Sequence, residues 1–269
     1  MTVTVTIRDL AAAKREGRRF AMLTAYDWPT ARLLTEAAIP VILVGDSLGD
    51  NVLGYANTLP VTMEEMLHHA RAVARGAPSA LLVGDMPFGS YQAGCESAVV
   101  AATDFLKAGM HAIKLEGGGW VVDLVARITQ RGIPVMGHLG LTPQSVNAFG
   151  GMRVQGRSDD ARERILADAV ALERAGAFAV VLEGMPRDLA GQVTASLAIP
   201  TIGIGAGPDC DAQVLVTYDI IGITQHTRGS LPKFARVFAD VGDQVVGAVQ
   251  SFAAAVGEGT FPDDAHSFH

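Results

Sequence analysis

The sequence predicts one α/β domain spanning residues 1–269, a (β/α)8 (TIM) barrel with an extra N-terminal helix and C-terminal helices. Three observations carry that expectation. Short apolar runs recur eight times, segments with helical patterning separate them, and 269 residues is close to the roughly 250 typical of such barrels. A doubly wound open sheet is the alternative arrangement of the same alternation. No composition shift or linker divides the chain.

The runs are "RFAMLTAY", "PVILVGD", "ALLVGD", "HAIKLE", "IPVMGH", "AFAVVLE", "IPTIGIG" and "QVLVTYD". Each is rich in Val, Ile and Leu without strict alternation, as strands buried on both faces require. Three of them begin with an Ile-Pro step, at Pro40, Pro134 and Pro200. Proline is tolerated at a strand's first residue, where its missing N–H matters least.

The intervening segments read as helices. In "TMEEMLHHARAVARG", Thr62 and Glu65 have capping-box spacing. Ser158 is placed to cap "SDDARERILADAVALERAG", with acids in the first turn, where the helix dipole favours them. Asp27 before Trp28-Pro29 reads as another N-cap. Gly76, Gly109, Gly132 and Gly176 are expected to end helices in the left-handed conformation. "TIRDLAAAKREG" is the expected leading helix, "PKFARVFADVGDQVVGAVQSFAAAV" the closing helices, and "GEGTFPDDAHSFH" an irregular tail.

Composition narrows the function. The chain is 49% hydrophobic and 18% charged, which supports a large core rather than disorder. A net charge of -7 argues against broad binding to nucleic acid or anionic membranes, though not against a local cationic pocket. Cys95 and Cys210 fit no metal or redox spacing and read as reduced thiols. The start lacks the apolar core of a secretory signal, and no apolar run approaches the roughly 18 residues of a membrane span. A soluble cytoplasmic protein is expected.

In such a barrel, chemistry sits where strands end. Those positions hold Asp46 and Ser47, Asp85, Lys114 and Glu116, His138, and Glu183. One acid among them is readily explained by a nearby arginine or helix N-terminus; so many together on one face are not, because each buried carboxylate costs several kcal/mol unless paired or metal-bound. Lys114 and Glu116, two apart on a strand, point to one side. Lys114 has three readings: a Schiff-base nucleophile, an anion partner, or the partner of Glu116. The surrounding acids favour a protonated lysine and the anion role.

Asp46, Asp85 and Glu116 offer hard oxygen ligands without clustered His or Cys, a set that favours Mg2+ over Zn2+. Two aspartates leave room for water and a bidentate 2-oxo acid, whose keto oxygen on the metal would stabilise an enolate. Lys114 and Ser47 are placed to hold the substrate carboxylate. Glu183, on the sixth strand, is the carboxylate away from the metal that can take the proton beside the carbonyl. His138 is open between a hydrogen-bond partner, a second acid-base group and a satisfied polar residue. His68 and His69, on a predicted helix, read as surface residues.

The motifs "TAYD", "VGDSLG", "TLPVT", "GAP", "DMPFGSY", "KLEGG", "GHLGLTPQSVNAFGGMRVQGR", "LEGMP" and "IPTIGIGAG" span nearly the whole chain, and "GHLGLTPQSVN" is highly specific. On these the sequence resembles the ketopantoate hydroxymethyltransferase family. The resemblance implies Mg2+-dependent transfer of a hydroxymethyl group from 5,10-methylenetetrahydrofolate to 3-methyl-2-oxobutanoate, giving 2-dehydropantoate in pantothenate and coenzyme A synthesis. It places the metal aspartates at Asp46 and Asp85, with Glu116 near the metal through water. It places substrate contacts at Asp46, Ser47, Asp85 and Lys114, and the proton acceptor at Glu183. It also implies a homodecamer. The chain departs from the family pattern at Asp50 and Asn51, commonly apolar, and at Ala56, where an acid is usual. All three lie in the loop after the second strand.

Overall fold

The computed structural model describes residues 4–269, which form two compact units, one ending at Val216 and the other Thr217–His269. In the first unit all eight predicted strands form: β1 (Phe20–Thr24), β2 (Val41–Val44), β3 (Leu81–Asp85), β4 (Ala112–Lys114), β5 (Val135–Gly140), β6 (Ala179–Glu183), β7 (Thr201–Ile204) and β8 (Ala212–Leu215). They are parallel, pair in chain order, and close into a barrel when Phe20 of β1 registers with Ala212 of β8. The open-sheet alternative is thereby excluded. β2 and β3 are buried at every residue, as their unalternating apolar sequences require.

The Ile-Pro steps work as expected. Pro40, Pro134 and Pro200 each sit one residue before a strand, at β2, β5 and β7. Their carbonyls accept from the N–H groups of Leu81, Ile113 and Val180 at 2.9, 3.0 and 3.0 Å, so each proline still contributes to a ladder through its oxygen.

Helix α1 (Ile7–Arg15) precedes the barrel, capped by Thr6 and Asp9. Its Leu10 joins the interior cluster of Met22, Val41, Val83 and Val214, so α1 seals the end where the strands begin. Lys14 Nζ fixes it there through Asp211 Oδ2 (2.8 Å) and the Thr194 carbonyl (3.0 Å). The remaining helices of this unit are α2 (Trp28–Glu36), α3 (Leu48–Asn51), α4 (Met63–Gly76), α5 (Cys95–Lys107), α6 (Val121–Thr129), α7 (Val146–Phe149), α8 (Asp159–Arg174) and α9 (Arg187–Ser196). The predicted caps form: Asp27 Oδ1 accepts from Thr30 N–H at 2.7 Å, Thr62 and Glu65 make the full capping box, and Ser158 Oγ accepts from Ala161 N–H.

Gly109, Gly132 and Gly176 take φ of +101°, +79° and +96° just beyond α5, α6 and α8. Gly76 differs. It is the last residue of α4, without a left-handed φ, and a Cβ there would lie 2.7 Å from both Ala31 Cβ and the Trp28 carbonyl. Its glycine serves close packing of α4 on α2, which spacing cannot distinguish from a helix stop. His68 is exposed as expected, whereas His69 is half-buried and its Nδ1 lies 2.5 Å from the Tyr26 carbonyl.

In the second unit, α10 (Thr217–Ile220) begins where strand eight was expected to continue, and α11 (Ile223–Arg228) follows. Of the expected closing helices only α12 (Val241–Gly257) is long; Gly229 in the left-handed conformation ends α11, and residues 229–240 are irregular. Among the described residues no helix is long and apolar enough to cross a membrane.

Candidate active site

Six of the seven strand-end residues converge in one contact network at the C-terminal mouth of the barrel, and Ser47 borders it. Asp46, Asp85, Lys114, Glu116 and His138 are each at most 4% exposed. The register explains the convergence. Asp85 of β3 stands beside Lys114 of β4, and Gly140 of β5 beside Glu183 of β6, so consecutive strands deliver their polar ends at one level.

Lys114 Nζ lies 2.7 Å from Asp85 Oδ1, 3.9 Å from Glu116 Oε1 and 3.3 Å from His138 Nδ1. His138 Nδ1 is 3.3 Å from Glu116 Oε1, while Nε2 is 3.2 Å from Glu183 Oε2. The imidazole thus stands between the acid cluster and Glu183, within ion-pair distance of both acids, with Nε2 buried and without an aligned hydrogen bond. The side chain of Glu183 is 15% exposed, against 2–5% for the others in this ion-pair network. It is the carboxylate of that network with an approach from outside.

Burial drives the protonation states, and neighbours modify them. Burial, then the charges of Asp85 and Glu116, push the Asp46 carboxyl well up. Burial also raises Asp85, with Lys114 offsetting part of the rise. Glu116 suffers the same burial, but its bonds to His138 and the charge of Lys114 outweigh it and hold the carboxyl below its usual range. Burial pulls Lys114 down; Asp85, Glu116 and Asp46 more than reverse this, so the ammonium is firmly protonated. For His138, burial and Lys114 oppose the charge, yet hydrogen bonds to Glu116 and Glu183 lift it to about 9. Lys114 is ion-paired to Asp85 first and, more distantly, to Glu116, and a protonated ammonium there suits an anion rather than an amine nucleophile.

Three residues that the sequence did not single out complete the network. Gln144 is buried and donates from Nε2 to Asp46 Oδ2 and to the Met86 carbonyl, both at 2.9 Å. Its backbone N–H donates to Glu116 Oε2 at 3.0 Å. Tyr91 Oη donates to Gln144 Oε1 at 2.7 Å and accepts from Glu116 N–H at 3.2 Å. Tyr26 Oη and Ser47 Oγ lie 2.9 Å apart. Gln144 and Tyr91 belong to the quoted "GHLGLTPQSVN" and "DMPFGSY" blocks, but neither is at a strand end, so the rule that found the acids passed over them. Of the departures, Asn51 donates to the Ser47 carbonyl at 2.9 Å and braces the turn that carries Ser47, whereas Ala56 is exposed.

The residues present fit a divalent cation. Two buried carboxylates with raised affinity for protons are two carboxylates short of positive charge. Asp85 Oδ1 and Glu116 Oε1 are also buried without an aligned hydrogen-bond donor, facing only ion-pair partners. Among the described residues no three His, Cys, Asp or Glu side chains are grouped to hold an ion unaided. Two carboxylates completed by water and a chelating ligand form an open site of the kind Mg2+ prefers.

The model of the family described as ketopantoate hydroxymethyltransferase matches residues 4–264. The chain belongs to the ketopantoate hydroxymethyltransferase family. A 3-methyl-2-oxobutanoate hydroxymethyltransferase of Rhodococcus jostii is 55% identical over 96% of this chain and 89% of its own length. One of the same name from Syntrophus aciditrophicus is 54% identical over 98% of this chain and 96% of its own. Among solved structures, a phosphonopyruvate hydrolase complexed with oxalate and Mg2+ superimposes with a TM-score of 0.62 at 18% identity, covering 98% of this chain and 91% of that one. A 2,3-dimethylmalate lyase of the PEP mutase/isocitrate lyase superfamily gives 0.61 at 19%, over 99% and 93%. These two likenesses bear on the fold, a barrel this transferase family shares with them.

Proposed function

We propose that the protein transfers a hydroxymethyl group from 5,10-methylenetetrahydrofolate to C3 of 3-methyl-2-oxobutanoate, with one water consumed, giving 2-dehydropantoate and tetrahydrofolate. The name shared by the relatives supports the acceptor and the transferred group. The observation that carries the chemistry is the division of labour among carboxylates: Asp46 and Asp85 sealed inside, Glu183 tethered to His138 and open to approach.

Asp46 and Asp85 would hold Mg2+, with Glu116 reached through water; bound there, the ion supplies Lewis-acid polarisation of the 2-oxo group. Lys114 and the Ser47 hydroxyl receive the substrate carboxylate, the lysine as a fixed cation. Glu183 accepts the C3 proton, and His138, whose Nε2 lies 3.2 Å from Glu183 Oε2, sets its orientation as a charged neighbour. C3 and the consumed water between them replace both C–N bonds of the donor's methylene carbon, C3 forming the new C–C bond and water supplying the hydroxyl oxygen. The two departing nitrogens take up the proton removed from C3 and the proton released by water. Gln144 and Tyr91 hold Asp46 and Glu116 in place throughout.

The test follows 3-methyl-2-oxobutanoate with the protein and Mg2+ in deuterated water, without folate. Deuterium should enter C3, and Glu183→Gln should slow that entry by about 100-fold or more. Exchange at the parental rate in Glu183→Gln, or full turnover after EDTA treatment, would overturn this reading.

A further inference from the structure

Trp120 stands apart from the other large side chains near the mouth. It follows the "EGGG" turn at the end of β4, four residues beyond Glu116, and is 61% exposed. Yet it is held. Its ring stacks on Tyr91 with the planes 11° apart and centroids 6.1 Å apart. The turn beneath is pinned by Gly119 N–H donating to Asp168 Oδ1 at 2.9 Å, and Gly118 packs so tightly there that a Cβ would lie 2.2 Å from that carboxylate. Gly117 and Gly119 take φ of +118° and +53°, which lets the chain double back from the strand end. Tyr91 in turn donates to Gln144, which donates to Asp46. A chain of three contacts therefore runs from an exposed indole to a buried carboxylate of the site.

We propose that Trp120 is the stacking platform for the fused heteroaromatic ring of the folate donor. This rests on the function proposed above. A large aromatic surface fixed in advance binds a flat ring with little loss of conformational freedom. One indole face is occupied by Tyr91, and the high exposure of the residue leaves the remaining surface for a ligand. The donor must bring its methylene carbon to an acceptor held by Asp46, Ser47, Asp85 and Lys114, and the Trp120–Tyr91–Gln144 chain provides an aromatic surface tied to that cluster. Trp120 is a binding and specificity residue here and moves no proton.

The test combines kinetics with fluorescence. Trp120→Ala should raise the KM for 5,10-methylenetetrahydrofolate about tenfold, in line with the worth of an aromatic stack. The KM for 3-methyl-2-oxobutanoate should change less than twofold. Trp120→Phe, which keeps a ring, should recover most of the donor affinity. Trp28 is the other tryptophan of the chain, so Trp28→Phe leaves Trp120 as the sole indole reporter; titration of that variant with tetrahydrofolate should quench its emission. An unchanged donor KM in Trp120→Ala, or emission unmoved by saturating tetrahydrofolate, would overturn the assignment. Folate-independent deuterium entry at C3 separates this outcome from failure of the function itself, because that exchange does not use the platform.

Discussion

Gln144 Nε2 lies 2.9 Å from Asp46 Oδ2, joining residues 98 positions apart in a bond that neither end of the barrel's strand ladder provides. The Tyr91 hydroxyl, held protonated chiefly by burial and then by the charge of Glu116, donates to the amide oxygen. That donation fixes which way the amide faces, so Nε2 is the group presented to Asp46. Gln144→Ala would remove the amide that serves both Asp46 Oδ2 and the Met86 carbonyl, and would leave the Tyr91 hydroxyl only its bonds to the Glu116 backbone. We expect a loss of about 1–3 kcal/mol of stability and a larger proportional loss of Mg2+ affinity, read by denaturant melts and by calorimetric titration. Wild-type Mg2+ affinity in the variant would contradict this.

The protonation states give a pH dependence with a definite sign. Asp46 and Asp85 have raised folded-state pKa values, so the native state holds protons that the unfolded chain releases. Their stabilising contribution is present below the unfolded carboxylate range and is lost as pH rises through the folded values. His138 acts in the same direction, its contribution complete below about 6.5 and lost as pH passes about 9. Glu116, lowered, works oppositely and loses its contribution only in acid. In EDTA the Tm should therefore fall as pH rises from 6.5 to 9. Mg2+, which needs ionised aspartates, should raise Tm more at the upper end and release protons on binding. A Tm in EDTA that climbs over this interval would count against the assigned states.

His138 separates positioning from charge. With Nε2 3.2 Å from Glu183 and Nδ1 3.3 Å from Glu116, His138→Phe removes a neighbouring positive charge from both. We expect kcat to drop about 100-fold, with the KM for the folate donor little changed. Steady-state kinetics in both substrates checks the split; equal losses through both KM values would point to general disruption instead.

Gly140 closes β5 at φ +94°, and a Cβ there would lie 2.2 Å from the Glu183 carbonyl oxygen. That carbonyl already accepts from Leu141 N–H at 2.8 Å. Gly140→Ala should destabilise the protein by about 2 kcal/mol or more and displace Glu183. The expected readout is a lower Tm together with loss of C3 exchange; retention of both would contradict the account.

The barrel was legible because its strands are short, largely apolar runs without strict alternation, a pattern set by burial on both faces, separated by segments of helical patterning. The acids were legible for the same reason: Asp46, Asp85 and Glu116 follow directly on residues that have no use for charge. Tyr91 and Gln144 were not, because they reach the cluster from the loop after β3 and the turn after β5, where no periodicity marks direction. Gly76 does end α4, but not in the left-handed conformation, because a glycine needed for close approach looks identical in sequence to one needed for a left-handed φ. The helices beyond β8 were foreseen only in part, since Gly229 ends one and leaves an irregular run before α12.

The pairing of β1 with β8 has a consequence for biogenesis. Phe20 meets Ala212 only after almost the whole first unit has left the ribosome, so every earlier stage of synthesis carries a sheet with two unpaired edges. During that interval Met22, buried in the finished molecule, lacks its neighbour Val214. Such late ring closure implies slow maturation and a nascent chain that benefits from chaperone shielding until its eighth strand emerges.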